Sequence, residues 1–563
     1  MTRALAPRGP DGAGVYSREY FALGHTRLNI LDLSARSNQP MVDTELSLAV
    51  SFNGCIYNFR ELRTELLERG FHFFSDGDTE VIAKSYRAWG IACVERFKGM
   101  FAIAVAELDT GRLVLMRDRL GIKPLYYSTS SGGLRFASTL PALLASGSID
   151  TTINLKALHY YLSFHAVVPA PDTIINGVCK LPPATVLCIE PNGQQSEYRY
   201  WRLGVSNSEP QQKSSSQWRD ELATLLRRAV ERRTVSDVPM GVLLSGGLDS
   251  SVLVALLAEK GQEIDTFSIG FDAVNGVQGD EFRYSDLIVR QFGTRHHKMQ
   301  ITLAEMTEAL PGAIGAMSEP MVSHDNIAFY LLSREVSRSV KVVQCGQGAD
   351  EVFGGYHWHQ RMLRSNDGAA DYAEAYLEHR HTEIADMLLE KIPDYSGSFL
   401  RRYFEDATGT PADQALKIDT EIMLPDDPVK RLDNMTMAFG LEARVPFLDH
   451  ELVEHAVQTP IGVKMGETGK AVLKEIARSM LPNEVIDRPK GYFPVPGLKF
   501  LEGRALEYVR DIVTSASARS RGIFKRDYIE TLLADPAVHL TGKGNSKLWQ
   551  VGLLEGWLQE HGI

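Results

Sequence analysis

The sequence predicts an α/β protein in two parts, a layered α and β part followed by a part organised on a parallel sheet. Three observations predict it. Short apolar runs separated by Gly-rich turns fill the chain before residue 203. The polar stretch LGVSNSEPQQKSSSQ (203–217) then breaks every periodic pattern and reads as a linker. After it, strand-like apolar runs alternate with amphipathic helical segments.

Before the linker, LSLAVSFNG (46–54), FAIAVAEL (101–108), RLVLMRD (112–118) and LRFAST (134–139) predict strands. NFRELRTELLERG (58–70) and TEVIAKSYRAWG (79–90) predict helices, each stopped by a glycine. After the linker, WRDELATLLRRAVERR (218–233) predicts an amphipathic helix and VPMGVLL (238–244) a buried strand. SSVLVALLAEKG (250–261) predicts the helix leaving that strand. TFSIGF (266–271) and VKVVQCG (340–346) predict further strands, with a helix at EFRYSDLIVRQFG (281–293). Such alternation places helices on both faces of a parallel sheet. From about residue 357 to 563 the pattern is largely helical.

The 563 residues exceed one ordinary domain. A net charge of −11 argues against nucleic acid and anionic membranes as partners, while leaving room for a local basic pocket. Cys55, Cys93, Cys179, Cys188 and Cys345 are scattered and form no CxxC pair. This usage predicts reduced thiols in a cytoplasmic protein and no structural zinc site. The N-terminus lacks a signal-peptide apolar core, and no stretch reaches the roughly 18 apolar residues of a membrane span.

Chemistry concentrates at two turns. The strand 238–244 runs directly into Ser245-Gly246-Gly247-Leu248-Asp249-Ser250-Ser251. Two glycines let backbone N–H groups approach an anion, and the following helix adds its N-terminal dipole. No GxxxxGK[ST] is present, so the loop differs from that of kinase-like NTPases. Asp249 would repel a phosphate unless a Mg²⁺ lay between them. The plainer reading is a Gly-rich turn capped by Asp and Ser. The second turn, GQGADEVFGGY (346–356), again follows an apolar strand and pairs glycines with Asp350 and Glu351. Turns at the ends of parallel strands face one crevice, which makes Asp249 and Asp350 a candidate metal pair.

These two turns, with MTMAFGLEARVPFLDH (435–450) and RPKGYFPVP (488–496), resemble the synthetase half of glutamine-hydrolysing asparagine synthetases. PRGPDG (7–12), HTRLNILD (25–32), FNGCIYNFRELR (52–63), GDTEVI (77–82), FKGMFAIA (97–104) and RDRLGIKPLYY (117–127) resemble the glutaminase half. The resemblance implies an N-terminal-nucleophile αββα sandwich, a class II glutamine amidotransferase domain, over residues 1–202. It implies a PP-loop ATP pyrophosphatase domain with a Rossmann-like parallel sheet over 218–563. The implied chemistry is ATP-dependent: a carboxylate attacks the α-phosphate, pyrophosphate leaves, and ammonia displaces AMP to form an amide. By resemblance, Leu244, Ser245, Gly246, Gly247, Leu248, Asp249, Ser250, Ile269, Cys345 and Gly346 contact ATP. Asp249 and Asp350 hold Mg²⁺. Lys490 stabilises phosphate charge in the transition state, its alternative being a solvated surface lysine.

In the glutaminase half the resemblance places Arg27 against the glutamine α-carboxylate, a fork-to-fork contact that suits a guanidinium. It places Asp78 against the α-ammonium, and Asn53 with the Gly54 N–H in the oxyanion hole. As local chemistry, Asn53-Gly54 equally suits a tight turn after a strand. The partners implied are small molecules, with homodimerisation allowed but not fixed.

The sequence departs from the family at three places. The family nucleophile is an N-terminal cysteine whose α-amine is the base. This chain begins at Met1, just upstream of PRGPDG, so a leading segment on the order of two dozen residues is expected to be missing, through a misassigned start, a shortened chain or a real loss. As written, the chain is expected to use free ammonia and not to hydrolyse glutamine. Cys55 replaces an acid usual in the family and stands at the glutamine pocket; it reads mainly as a small apolar filler, with a substitute nucleophile as the alternative. Gln347 replaces a glutamate tied to the acyl-adenylate. With YLSFHAVVPAPDTI (161–174) and SEPMVSHDNIAFYLLS (318–333), these replacements resemble the N-acetylglutaminylglutamine amidotransferase branch, which makes an osmoprotectant. The rival acceptor is L-aspartate, and the rival of another class is a catalytically silent regulatory relative.

Overall fold

The computed structural model describes residues 1–130, 133–204, 213–261, 263–274, 277–488 and 501–563. Its first part carries strands β1 (Gly12–Ser17), β2 (Ala22–Arg27), β3 (Met41–Asp43), β4 (Leu48–Ile56), β5 (Gly99–Glu107), β6 (Leu113–Arg117), β7 (Tyr126–Ser130), β8 (Gly133–Ala137), β9 (Cys179–Lys180), β10 (Thr185–Ile189) and β11 (Gln195–Arg199). A six-stranded sheet runs in the order β11-β10-β6-β5-β4-β3, with every neighbour antiparallel. The pair β1-β2 and the trio β8-β7-β9 accompany it.

β5 shows why layers form. Phe101, Ile103 and Val105 pack with Leu62, Leu66, Val81 and Ile82 of the helices Phe59–Glu68 and Asp78–Trp89. The alternate residues Ala102, Ala104 and Ala106 face Leu23 of β2 and Tyr127 of β7. Period-2 alternation of large and small side chains buries both faces, and the alanines let a second sheet layer close in. The helix Leu140–Leu144 packs against β7 and β8. The result is the αββα sandwich.

The second part carries β12 (Met240–Leu243), β13 (Asp265–Val274), β14 (Val277–Gly279), β15 (Arg295–Ile301), β16 (Val342–Gln344) and β17 (Glu442–Arg444). The order is β14-β13-β12-β16-β17, with β15 on β13. All pairs except β13–β14 are parallel, as the strand–helix alternation predicts. The helix Leu248–Ala258 is apolar on every side because it is buried from Ser250 to Leu257.

Several elements differ from the sequence reading, and strands such as β1, β2, β10 and β17 are additional to it. The helix predicted from 218 begins at Ser215, inside the polar stretch, because Ser214 and Gln217 form a capping box. β15, RHHKMQI, went unpredicted because its outer face is polar and exposed.

Buried ion pairs tie the two parts together. Arg8 reaches Asp433 at 2.8 Å, and Lys123 reaches it at 3.1 Å. Lys180 reaches Asp426 at 2.9 Å and Glu319 at 3.1 Å. Around them one apolar core runs from Leu162 and Phe164 to Tyr372 and Leu400.

Candidate active sites

β12 ends at Leu243, and the chain turns through Ser245, Gly246 and Gly247 into the helix at Leu248. Gly246 has φ +74, and a Cβ there would stand 2.5 Å from the Ser285 nitrogen, so only glycine fits. The turn braces itself. The Gly247 N–H donates to Ser245 Oγ at 3.3 Å, and Ser250 Oγ donates to the Gly247 carbonyl at 3.3 Å. β16 ends at Gln344 and leads through Gly346, Gln347 and Gly348 into the short helix Ala349–Phe353. β12 and β16 are parallel neighbours, with Gly241 opposite Val343, so both turns open at one end of the sheet. They also touch: a Cβ on Gly346 would meet Asp249 Cβ at 3.0 Å.

Between the turns lies a cavity of about 580 Å³. Leu244, Ser245, Gly247, Leu248, Asp249, Ser250, Ile269, Cys345, Gly346, Gln347 and Asp350 line it. Gly246 supports the turn from behind, against Tyr284 and Ser285. Lys490 lies outside the described residues.

Lys470 was missed by sequence reasoning. It immediately precedes the helix Ala471–Ala477, and its Nζ stands 2.7 Å from Asp249 Oδ2 and 2.7 Å from Asp350 Oδ1. Burial works to lower its pKa, yet Asp249 and Asp350 together outweigh burial and hold it above the usual lysine range. The signal available in the sequence was indirect: two acids converging in a buried crevice need a cation, and neither loop carries one. Arg431, Lys474 and Arg488 also line this cavity, set among the acids Asp249, Glu281, Asp325, Asp350 and Asp487, so the wall carries charges of both signs. Beside it, burial first and Asp350 second push Glu351 up to about 7, while the Tyr356 hydroxyl donates to its Oε1 at 2.6 Å.

A second cavity, about 690 Å³, is lined by Arg27, Asn53, Gly54, Cys55 and Asp78. Arg27 ends β2 and donates from Nη1 to the Ser34 carbonyl at 2.8 Å and to Asn38 Oδ1 at 2.7 Å. Asp78 opens its helix, and its Oδ2 accepts from the Ile56 N–H at 2.9 Å. Burial pushes Asp78 up to about 7. Asn53 and Gly54 do not form a tight turn; both lie inside β4, paired with Ala102 and Phe101. Gly54 has φ +138, and a Cβ there would stand 2.0 Å from the Met100 carbonyl oxygen. Close approach of β5, not chain reversal, is what demands the glycine. Cys55 is 2% exposed, and burial pushes its thiol well up, so it is no thiolate at neutral pH.

The sequence matches the family model described as asparagine synthase over residues 221–559 and that described as glutamine amidotransferase domain over 1–201. Asparagine synthetase (glutamine-hydrolysing) 1 of Bacillus subtilis (strain 168) is 30% identical over 99% of this chain and 92% of its own length. The numbered homologue 3 of the same organism is 30% identical over 88% of this chain and 83% of its own. Asparagine synthetase B (glutamine-hydrolysing) of Escherichia coli (strain K12) is 27% identical over 88% and 78%. No described helix is long and apolar enough to cross a membrane. With two family models aligned end to end on the two cavities, the chain belongs to the family of glutamine-hydrolysing asparagine synthetases.

Proposed function

We propose that this ATP-dependent amidotransferase adenylates its acceptor carboxylate in the cavity between β12 and β16, with residues 1–202 as its glutamine domain and 218–563 as its synthetase domain. The observation that carries the reading is the convergence of Asp249 and Asp350, from two separate strand-end turns, on the one buried ammonium of Lys470.

The carboxylate oxygen attacks the ATP α-phosphorus, and the bond to the β-phosphate bridging oxygen breaks. Pyrophosphate leaves carrying its electron pair. Backbone N–H groups of residues 245–251, the helix N-terminus behind them and the Lys470 ammonium stabilise that departing charge. Leu244, Ile269, Cys345 and Gly346 line the space assigned to the nucleoside and α-phosphate. Ammonia then attacks the acyl carbon, AMP leaves, and one proton is lost to give the amide. Asp249 and Asp350 are the carboxylates that would hold a Mg²⁺, in exchange for part of their present contact with the Lys470 ammonium; when bound it would neutralise charge on the polyphosphate. In the second cavity, Arg27 and Asp78 are assigned to the glutamine carboxylate and ammonium, and Asn53 with Gly54 to the oxyanion.

The acceptor we favour is N-acetylglutaminylglutamine, supported by the neutral Gln347 beside Asp350 in the cavity wall. L-Aspartate is the second reading, favoured by the names of the relatives. Pyrophosphate release, measured with ATP, Mg²⁺, ammonia and each acceptor in turn, tests both. Release with the capped dipeptide alone supports the first reading, and release with aspartate alone overturns it. No release with either, together with no ATP binding, would leave a silent relative. Asp249→Ala is expected to abolish release, and activity surviving that change would remove the metal assignment.

A further inference from the structure

Away from both cavities, three side chains from separate segments converge where the two parts of the chain meet. His159 sits on the helix Leu155–Ser163 of the first part. His381 opens the helix His381–Met387, and Asp394 is the N-cap of the helix Tyr395–Asp406. One ligand atom from each lies within 4.8 Å of the other two. His159 Nε2 and His381 Nδ1 are 3.1 Å apart, and His159 Nε2 is 4.0 Å from Asp394 Oδ1.

We propose that His159, His381 and Asp394 form a site for a divalent transition-metal ion of the Zn²⁺ class, clamping the first part of the chain to the helical region of the second. The two imidazole nitrogens are borderline donors that select Zn²⁺ and its neighbours over Mg²⁺ or Ca²⁺, and a carboxylate is a common third ligand to Zn²⁺. Ligand bonds of about 2.0–2.1 Å in a tetrahedron set donors roughly 3.3 Å apart. The imidazole pair already stands near that spacing. The carboxylate, whose side chain is 36% exposed, stands 4.0 Å from His159 and within 4.8 Å of His381, so it must close in by roughly 0.7–1.5 Å, within reach of a side-chain rotation.

The surroundings are arranged as ligand supports. His159 Nδ1 lies 2.8 Å from Ser396 Oγ, so the second ring nitrogen is held and Nε2 is aimed at the shared point. Tyr395 packs edge-on against the His159 ring, with centroids 6.0 Å apart. Asp394 Oδ1 accepts from the Gly397 N–H at 2.8 Å, which fixes the carboxylate at the helix start. A fourth position faces solvent past the partly exposed His381 and Asp394 and would take water.

The test uses the full chain without an affinity tag, stripped by chelator and titrated with ZnCl₂ in excess MgCl₂, so that the Asp249–Asp350 carboxylates are saturated. A single Zn²⁺ equivalent is expected to bind at micromolar concentration and to raise the melting temperature. His381→Ala is expected to weaken binding by roughly 100-fold or more, and Ser396→Ala by roughly tenfold. Asp394→Asn keeps the helix cap while removing the charge, and should also weaken binding without altering the melting temperature of the metal-free chain. A plain hydrogen bond between the imidazoles predicts otherwise: no Zn²⁺ uptake by the wild-type chain, or equal uptake by His381→Ala and Asp394→Asn. Either result overturns the proposal.

Discussion

Lys470 and Asp249, 221 residues apart in the chain, meet ammonium to carboxylate at 2.7 Å. Asp350 meets the same ammonium at the same distance. Removing the cation leaves two half-buried carboxylates facing each other and takes a positive charge from the wall proposed to face the leaving pyrophosphate. Lys470→Met is therefore expected to lower pyrophosphate release by roughly 10²- to 10³-fold, the cost of losing one preorganised charge stabiliser. Lys470→Arg, which keeps the charge, should retain a measurable fraction. ATP–pyrophosphate exchange gives the readout, and exchange unaffected by Lys470→Met would make the contact purely structural.

Asp78 gives a pH dependence with a definite sign. Its pKa rises from an ordinary 3.8 to about 7, because burial opposes the charged form. Between those values the native chain holds a proton that the unfolded chain has released. Its contribution to stability is therefore full below about pH 4 and is lost as pH climbs to about 7. The role proposed for Asp78, holding the glutamine ammonium, needs the ionised carboxylate, so glutamine affinity should increase as pH rises through about 7. Calorimetric titration on either side of that value measures it. Asp78→Asn keeps the acceptor for the Ile56 N–H and should bind weakly with no such rise; an unchanged pH profile in that variant would clear Asp78 of the role.

Much of the site could be read locally. The turns at 245–251 and 346–356 announce themselves because glycine is demanded where backbones approach an anion or each other, as at Gly246. Lys470 gave no such sign. It lies at an ordinary helix start and acquires meaning only when tertiary folding brings it to Asp249 and Asp350. Asn53-Gly54 suits a turn as a dipeptide, yet it ends the strand read over 46–54, and the glycine answers to the missing Cβ that admits the Met100 carbonyl. Ser214 and Gln217 were legible as a capping box, yet the polarity around them reads as linker. β17 spans only Glu442–Arg444 and takes its place from the parallel pairing with β16, information no three-residue window carries.

Gly54 lies at that close approach. A methyl group would press on the Met100 carbonyl at 2.0 Å and the Phe101 Cα at 2.9 Å, and φ +138 adds backbone strain. Gly54→Ala is expected to destabilise the chain by roughly 1–3 kcal/mol. It should also weaken glutamine binding while sparing ammonia-driven amide formation, since the strain falls between β4 and β5 and not at the synthetase turns. Thermal denaturation and ammonia-dependent turnover, measured side by side, check it. A variant that melts with the wild-type chain would show that β5 yields at no cost.

Gln347 tests the acceptor. It lines the synthetase cavity in the turn after β16, where a charge would act on whatever occupies that cavity. Aspartate carries an ammonium group on Cα, one methylene away from the β-carboxylate to be adenylated, whereas a capped dipeptide carries none. Gln347→Glu offers the ammonium a charge-assisted hydrogen bond, an interaction on the order of 1.5–3 kcal/mol. It offers the capped dipeptide only repulsion toward its carboxylate. The ratio of kcat/KM for aspartate to that for the dipeptide is therefore expected to rise by roughly tenfold or more. Steady-state pyrophosphate release with the two acceptors measures that ratio directly. A ratio that stays constant would place the acceptor away from Gln347 and withdraw this residue as the source of acceptor choice.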